Sequence, residues 1–220
     1  MVKKRISDDT QFYGFVLNEG QRAFHDALFD QSKQVVICNA TAGAGKTLIA
    51  VACARLLTYK KVYDDAVYVF PTVEEGTLGY RPGNVTDKEA DYVQPLYDAL
   101  TSMGEDPDHS IYNDVSLKNG TAWVEAKSAT FLRGTNMKRK FLIIDEAQNF
   151  TAPQLKKIIS RAHDDTKVVI IGCIAQMDIP LDRSGFAKTI AFLKPYDDRV
   201  QICEMPVSYR GWLAQTIDGL

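Results

Sequence analysis

Val35-Val36-Ile37-Cys38-Asn39-Ala40-Thr41-Ala42-Gly43-Ala44-Gly45-Lys46-Thr47-Leu48-Ile49-Ala50 is the stretch that decides how this chain folds. An apolar run, a turn of glycine and small residues, and a second apolar alternation follow without a break. That order is strand, tight loop, helix, the context in which a loop ending in Gly-Lys-Thr wraps phosphate. Residues 40–47 fit the loop with Ala40 in place of its first glycine. Alanine is tolerated there if the backbone avoids positive φ. The backbone N–H groups from Thr41, Ala42, Gly43, Ala44 and Gly45 through Lys46, Thr47 and Leu48 are expected to face a bound polyphosphate. The positive end of the following helix adds to that attraction. Lys46 is expected to reach the β- and γ-phosphates and the Thr47 hydroxyl to bind Mg²⁺.

About a hundred residues on, Phe141-Leu142-Ile143-Ile144 runs into Asp145-Glu146-Ala147-Gln148. This reads as a buried strand ending in two carboxylates. Asp145 is expected to hold Mg²⁺ through water and Glu146 to orient the water that attacks the γ-phosphate. The two stretches together specify a nucleoside triphosphatase that uses Mg²⁺.

Strand and helix signals alternate along the rest of the chain. Helices are expected at Glu19–Phe29, from Lys46 to about Thr58, from Thr86 to about Ser102, from Thr151 to His163, at Phe186–Leu193 and near the C-terminus. Strands are expected at Gln34–Cys38, Ala66–Phe70, Lys140–Ile144, Lys167–Ile171 and Val200–Glu204, with shorter pieces at Ala122–Ala126 and Ala129–Leu132. The polar residues 104–120 read as an outward loop. Such alternation means an α/β fold, a mostly parallel sheet with helices on both faces. Sites in such sheets lie at the carboxyl ends of the strands. The phosphate loop, Asp145-Glu146 and Gly172–Gln176 all fall there.

Composition fits one globular domain over residues 1–220, with residues 1–17 as an N-terminal extension: 45% hydrophobic, 25% charged, net charge −2. No run approaches a membrane span, and Asp8-Asp9 stands where a leader peptide needs apolar residues. Cys38, Cys53, Cys173 and Cys203 lack paired ligand spacing and read as reduced core residues of a cytoplasmic protein. The charge balance makes no global case for nucleic acid, and Lys138-Arg139-Lys140 reads first as a solvated strand entry.

Two glutamines add to the site. Gly172–Gln176 follows the apolar strand Lys167–Ile171 directly, so Gln176 is expected to reach the γ-phosphate or the attacking water, sensing whether the third phosphate is present. Gln21 is expected to bridge adenine N6 and N7.

Asp145-Glu146-Ala147-Gln148, Gly172–Gln176 and Gln21 together resemble the first RecA-like domain of superfamily 1 helicases. A closer resemblance is to the PhoH-like family of phosphate-starvation ATPases. It is carried by Val73–Gly76, Leu78–Gly83, Gln94–Leu100, Arg133-Gly134 and Gln176–Pro180, and spans roughly residues 18 to 218. The resemblance implies a P-loop NTPase with a RecA-like sheet, an ATPase working with single-stranded nucleic acid, and RNA as the expected polymer. Three positions depart from the family pattern: Ala40 replaces glycine, Cys173 stands where Asp is usual, and Phe70 where Arg is usual.

A two-domain helicase takes an arginine finger from its second domain. Here the finger is expected from a neighbouring subunit in a ring, a hexamer by resemblance, with Arg133 and Arg210 as candidates. A structural arginine in a salt bridge is the other reading of each. Thr72, Tyr80 and Arg81, beyond the second strand, are the candidate nucleic-acid contacts. Two further functions are weighed: a small-molecule kinase, and a nucleotide-gated binding module whose catalysis is weakened at Ala40 and Cys173.

Overall fold

A computed structural model of the chain describes residues 12–71, 85–132, 137–180 and 182–217. These residues form one six-stranded, all-parallel sheet in the order β3-β2-β4-β5-β1-β6. Its strands are β1 (Val35–Ala40), β2 (Asp65–Phe70), β3 (Val124–Ser128), β4 (Lys140–Ile144), β5 (Lys167–Gly172) and β6 (Val200–Met205). The helices are α1 (Glu19–Phe29), α2 (Lys46–Tyr59), α3 (Val85–Ser102), α4 (Pro107–Ser110), α5 (Asp114–Asn119), α6 (Ala152–Ile159), α7 (Phe186–Leu193) and α8 (Trp212–Ile217).

The central strands β1, β4 and β5 are covered on both faces, which is why they read as unbroken apolar runs and not as alternations. Side-chain parity divides the core. Val36, Cys38, Phe141, Ile143, Val169 and Ile171 pack with Phe24 and Leu28 of α1 and Ile49 of α2. Ile37, Leu142, Ile144, Val168 and Ile170 pack with Leu155 and Ile158 of α6 and Phe186 of α7. A one-residue register slip would exchange these sets, so the sheet's pairing is firmly specified.

Helix α1 opens with a reciprocal cap. Asn18 Oδ1 accepts from Gln21 N–H at 2.8 Å, and Gln21 Oε1 accepts from Asn18 N–H at 3.0 Å. At its other end Lys167, a residue only 1% exposed, donates from its ammonium to the carbonyls of Ala27, Asp30 and Lys33 at 3.1, 2.8 and 2.6 Å. The helix is thereby tied to the base of β5.

Three expectations need correction. Residues 104–120 are not an open loop but carry α4 and α5. Asp106 caps Asp108 N–H, Asn113 caps Val115 and Ser116, and Gly120 closes α5 at φ +66°. Residues Ala129–Leu132 form a turn of 3₁₀ helix after β3, not a strand. Helix α6 ends at Ile159, short of His163. The chain there leaves to pair with Met137, which exchanges backbone bonds with Arg161 and His163 at 3.2 and 3.0 Å.

Candidate functional site

The sheet brings three loops side by side at its carboxyl edge. They follow β1, β4 and β5, with β5 lying between the other two. In the first loop Gly43 and Gly45 have φ of +72° and +83°, and no other residue of 40–47 is in the left-handed region. Ala40 continues the extended backbone of β1, which explains why alanine suffices there. Along the loop Thr41 and Gly43 are exposed, Ala42 and Ala44 buried, and Leu48 packs partly against the core.

Lys46 opens α2, and its Nζ lies 3.3 Å from Glu146 Oε1, with side chains 11% and 36% exposed. Thr47 Oγ1 donates to Asp145 Oδ2 at 2.7 Å, and so does the Tyr68 hydroxyl from β2 at 2.7 Å. Asp145 Oδ1 accepts the N–H of Glu146 at 2.7 Å. Glu146 itself sits at φ +50°, a left-handed conformation that costs a non-glycine residue of order 1–3 kcal/mol and recurs at functional sites. Gln148 holds the carboxylate from the other side: its Nε2 donates to Glu146 Oε2, while its Oε1 accepts from Cys173 N–H at 3.0 Å. The loop after β4 is thus locked to the loop after β5.

Burial, then the neighbouring Glu146 carboxylate, push the Asp145 carboxyl above its ordinary range, against the opposing pull of Lys46, Tyr68 and Thr47. Burial alone would push the Lys46 ammonium down, but Glu146 and then Asp145 outweigh it and hold the lysine above its ordinary value. A fully buried carboxylate under such pressure, beside a threonine hydroxyl, is an oxygen donor set that fits a hard divalent cation. Thr47 and Asp145 are the residues that would hold Mg²⁺.

A segment beyond β6 lies along the phosphate loop. Thr41 N–H donates to Met205 O at 3.0 Å and Tyr209 N–H to Gly43 O at 3.0 Å. Thr41 and Ser208 hydroxyls donate to Pro206 O and Ala42 O at 3.2 and 2.8 Å. This strap lays Arg210 on Gly43, where an added Cβ would stand 2.5 Å from Arg210 Cγ. Arg210, a candidate finger in the sequence, thus packs on the phosphate loop of its own chain, because residues 205–209 are bonded to that loop. Gln21 Nε2 donates to Ala44 O at 2.9 Å, and the residue is 8% exposed. Its carboxamide is engaged with the helix cap and the phosphate loop, leaving one N–H and one lone pair for a further partner. Gln176 lies exposed on the third loop, its N–H closing a turn on Cys173 O at 3.1 Å. Arg133, Thr72, Tyr80, Arg81 and the segment 73–83 lie outside the described residues. Phe70 is buried in the core, and Cys173 is 5% exposed.

Residues 16–210 match the model of the PhoH-like protein family. The chain belongs to this family. Over 180 residues it is 33% identical to the PhoH-like protein of Mycobacterium leprae (strain TN), covering 81% of this chain and 49% of that protein. Over 165 residues it is 32% identical to Protein PhoH of Escherichia coli (strain K12), covering 74% and 45%. The chain spans about half the length of the curated relatives it matches. Among solved structures, unliganded Pif1 from Bacteroides sp is similar at TM-score 0.43 and 14% identity, covering 93% of this chain and 44% of that one. The Sulfolobus solfataricus SWI2/SNF2 ATPase core in complex with dsDNA is similar at TM-score 0.48 and 13% identity, covering 86% and 45%. Likenesses this distant bear no functional weight. The family and the phosphate loop make this a nucleotide-binding P-loop protein.

Two site residues escaped sequence reasoning. Tyr68 stands in an apolar strand, and its hydroxyl, which has to find a partner when buried, was the available signal. Gln148 lay in plain view within Asp145–Gln148, but the direction of its side chain depends on the turn at Glu146.

Proposed function

We propose that this PhoH-like chain binds ATP and hydrolyses its terminal phosphoanhydride. One observation carries the reading: the Lys46 ammonium lies 3.3 Å from the Glu146 carboxylate, with Thr47 bonded to Asp145 beside them. Those four side chains are what hydrolysis of a triphosphate needs in one place. An incoming polyphosphate competes with Glu146 for the lysine. As Lys46 turns to phosphate, Glu146 is released to accept a hydrogen bond from water, and Gln148 keeps its carboxylate from swinging away. The loop N–H groups of residues 41–48 bind the phosphate oxygens. When bound, Mg²⁺ neutralises phosphate charge, with Thr47 and Asp145 as its ligands from this chain. Arg210 and Gln176 flank the site from the strap and the third loop, and both are proposed to respond to the third phosphate.

Single-stranded nucleic acid, RNA first, is the proposed partner, and a homo-oligomeric ring the proposed assembly. Both rest on the family resemblance, with Thr72, Tyr80, Arg81 and Arg133 as the residues to probe.

Phosphate release is the test, measured for wild type and Glu146→Gln with and without RNA and DNA. The wild type is expected to hydrolyse ATP, faster with the preferred polymer and less so as salt rises. Glu146→Gln is expected to bind ATP and release no phosphate. A wild type that binds ATP without turnover would make the chain a gated binding module. Turnover that requires a small acceptor would make it a kinase.

A further inference from the structure

Three carboxamide side chains capture three backbone N–H groups of the loop after β5. Gln148 Oε1 accepts from Cys173 at 3.0 Å, Asn39 Oδ1 from Ile174 at 3.1 Å, and Asn149 Oδ1 from Asp178 at 2.8 Å. Beyond the end of a strand such N–H groups have lost their ladder acceptors and need another. Gln148 and Asn149 come from the carboxylate segment after β4. Asn39 comes from the opposite flank.

Asn39 is the last residue but one of β1, in register with Gly172 of β5 on one side and Glu204 of β6 on the other. Its Nδ2 donates to Glu204 Oε2 at 2.9 Å. Ile37 and Val35, two and four residues earlier on the same face, pack with the apolar core. A polar side chain there is a departure from the pattern, and both of its functional ends are used. One side chain therefore joins the loop that bears Gln176 to the end of β6. The next residues of β6 are the strap bonded to Thr41, Ala42 and Gly43.

We propose that Asn39 is a positioning residue for ATP hydrolysis, fixing the Gln176 loop against the strap that carries Arg210. The proposal rests on the ATPase reading above. Neither Asn39 nor Glu204 touches nucleotide in this scheme; the pair sets the distance between two loops that do. The role needs both halves of a carboxamide, an acceptor for the Ile174 N–H and a donor to the Glu204 carboxylate. Aspartate keeps the acceptor but sets like charge against Glu204. Changing Glu204 to glutamine at the same time returns a donor to the pair, from the other side.

The experiment compares steady-state ATPase kinetics of wild type, Asn39→Asp and the double variant Asn39→Asp/Glu204→Gln. Asn39→Asp is expected to lower kcat about two- to tenfold, the rate equivalent of one hydrogen bond, with KM for ATP unchanged. The double variant is expected to recover most of the loss. A kcat equal to wild type in Asn39→Asp overturns the proposal, as does a double variant no faster than the single one. Hydrogen exchange across residues 172–178 of the nucleotide-free protein is read in parallel with Asn39→Ala. Faster exchange there supports the tie, and unchanged exchange overturns it. That readout stands even if the wild type hydrolyses nothing, an outcome that would sink the ATPase reading alone.

Discussion

Adding one methyl group at Gly172 tests how tightly the loops after β4 and β5 are fitted together. A Cβ built on Gly172 would stand 2.6 Å from Gln148 Oε1, 3.0 Å from Phe186 Cε1 and 3.2 Å from the Gln148 backbone nitrogen. The backbone there is not left-handed, so the cost is steric and not conformational. The Gln148 carboxamide is flexible and can swing aside, but it then abandons the N–H of Cys173. Leaving a buried N–H without its acceptor costs about 1–3 kcal/mol. The Phe186 ring and the Gln148 backbone have no such freedom, and overpacking against them costs about another 1–3 kcal/mol. The sum is roughly 2–6 kcal/mol. At about 2–4 °C per kcal/mol for a chain of this size, Gly172→Ala should melt roughly 4–24 °C below wild type. Turnover should fall further than the folded fraction does, because Gln148 also holds Glu146. Differential scanning fluorimetry and phosphate release, both well below the variant's melting temperature, make the measurement. A melting temperature within about 2 °C of wild type, with turnover unaltered, would show that the two loops are not in contact as described.

Tyr68→Phe removes one of the hydrogen bonds to a buried carboxylate. At about 1.5–3 kcal/mol for a bond to a charged group, it should melt roughly 3–12 °C lower. An unchanged melting temperature would show that Asp145 does not rely on it. Lys167→Met withdraws the donor from three carbonyls and should cost about 1–3 kcal/mol at pH 7 in a denaturant titration. Burial pushes the Lys167 ammonium down to about 8, below its unfolded value. The folded protein therefore gives up that proton before the unfolded chain does. Stability of wild type relative to Lys167→Met should thus rise as pH goes from about 8 towards 10. A gap that is flat or narrows with pH would mean that the three carbonyls hold the proton in place.

Most of the sheet was legible because buried parallel strands are short, apolar and sharply bounded. Lys140–Ile144 and Phe186–Leu193 were placed to the residue, and β1, β5 and β6 to within two. Residues 104–120 were misread because polarity says only that a segment is solvated. The helices there come from two local caps and a closing glycine, each visible as a residue type but not as a geometry. At the site, residue types announced Lys46, Thr47, Asp145 and Glu146, since each sits at a fixed offset from a strand end. The packing of Arg210 on Gly43 was not legible, because nothing in Ser208-Tyr209-Arg210 encodes the bonds that fold the strap back on the loop. Tyr68 and Asn39 were hidden for the same reason: their partners lie 77 and 135 or more residues away.

The contact between Lys46 and Glu146 has one more implication. The Lys46 ammonium and the Glu146 carboxylate satisfy each other, so on the proposed reading the group that would act on water is muzzled by the group that would greet phosphate. A visitor must carry enough negative charge to pry them apart. Small neutral solutes and singly charged anions compete poorly for the lysine, whereas a polyphosphate tail outbids a lone carboxylate. On that reading the lock is keyed to valence before it is keyed to the base.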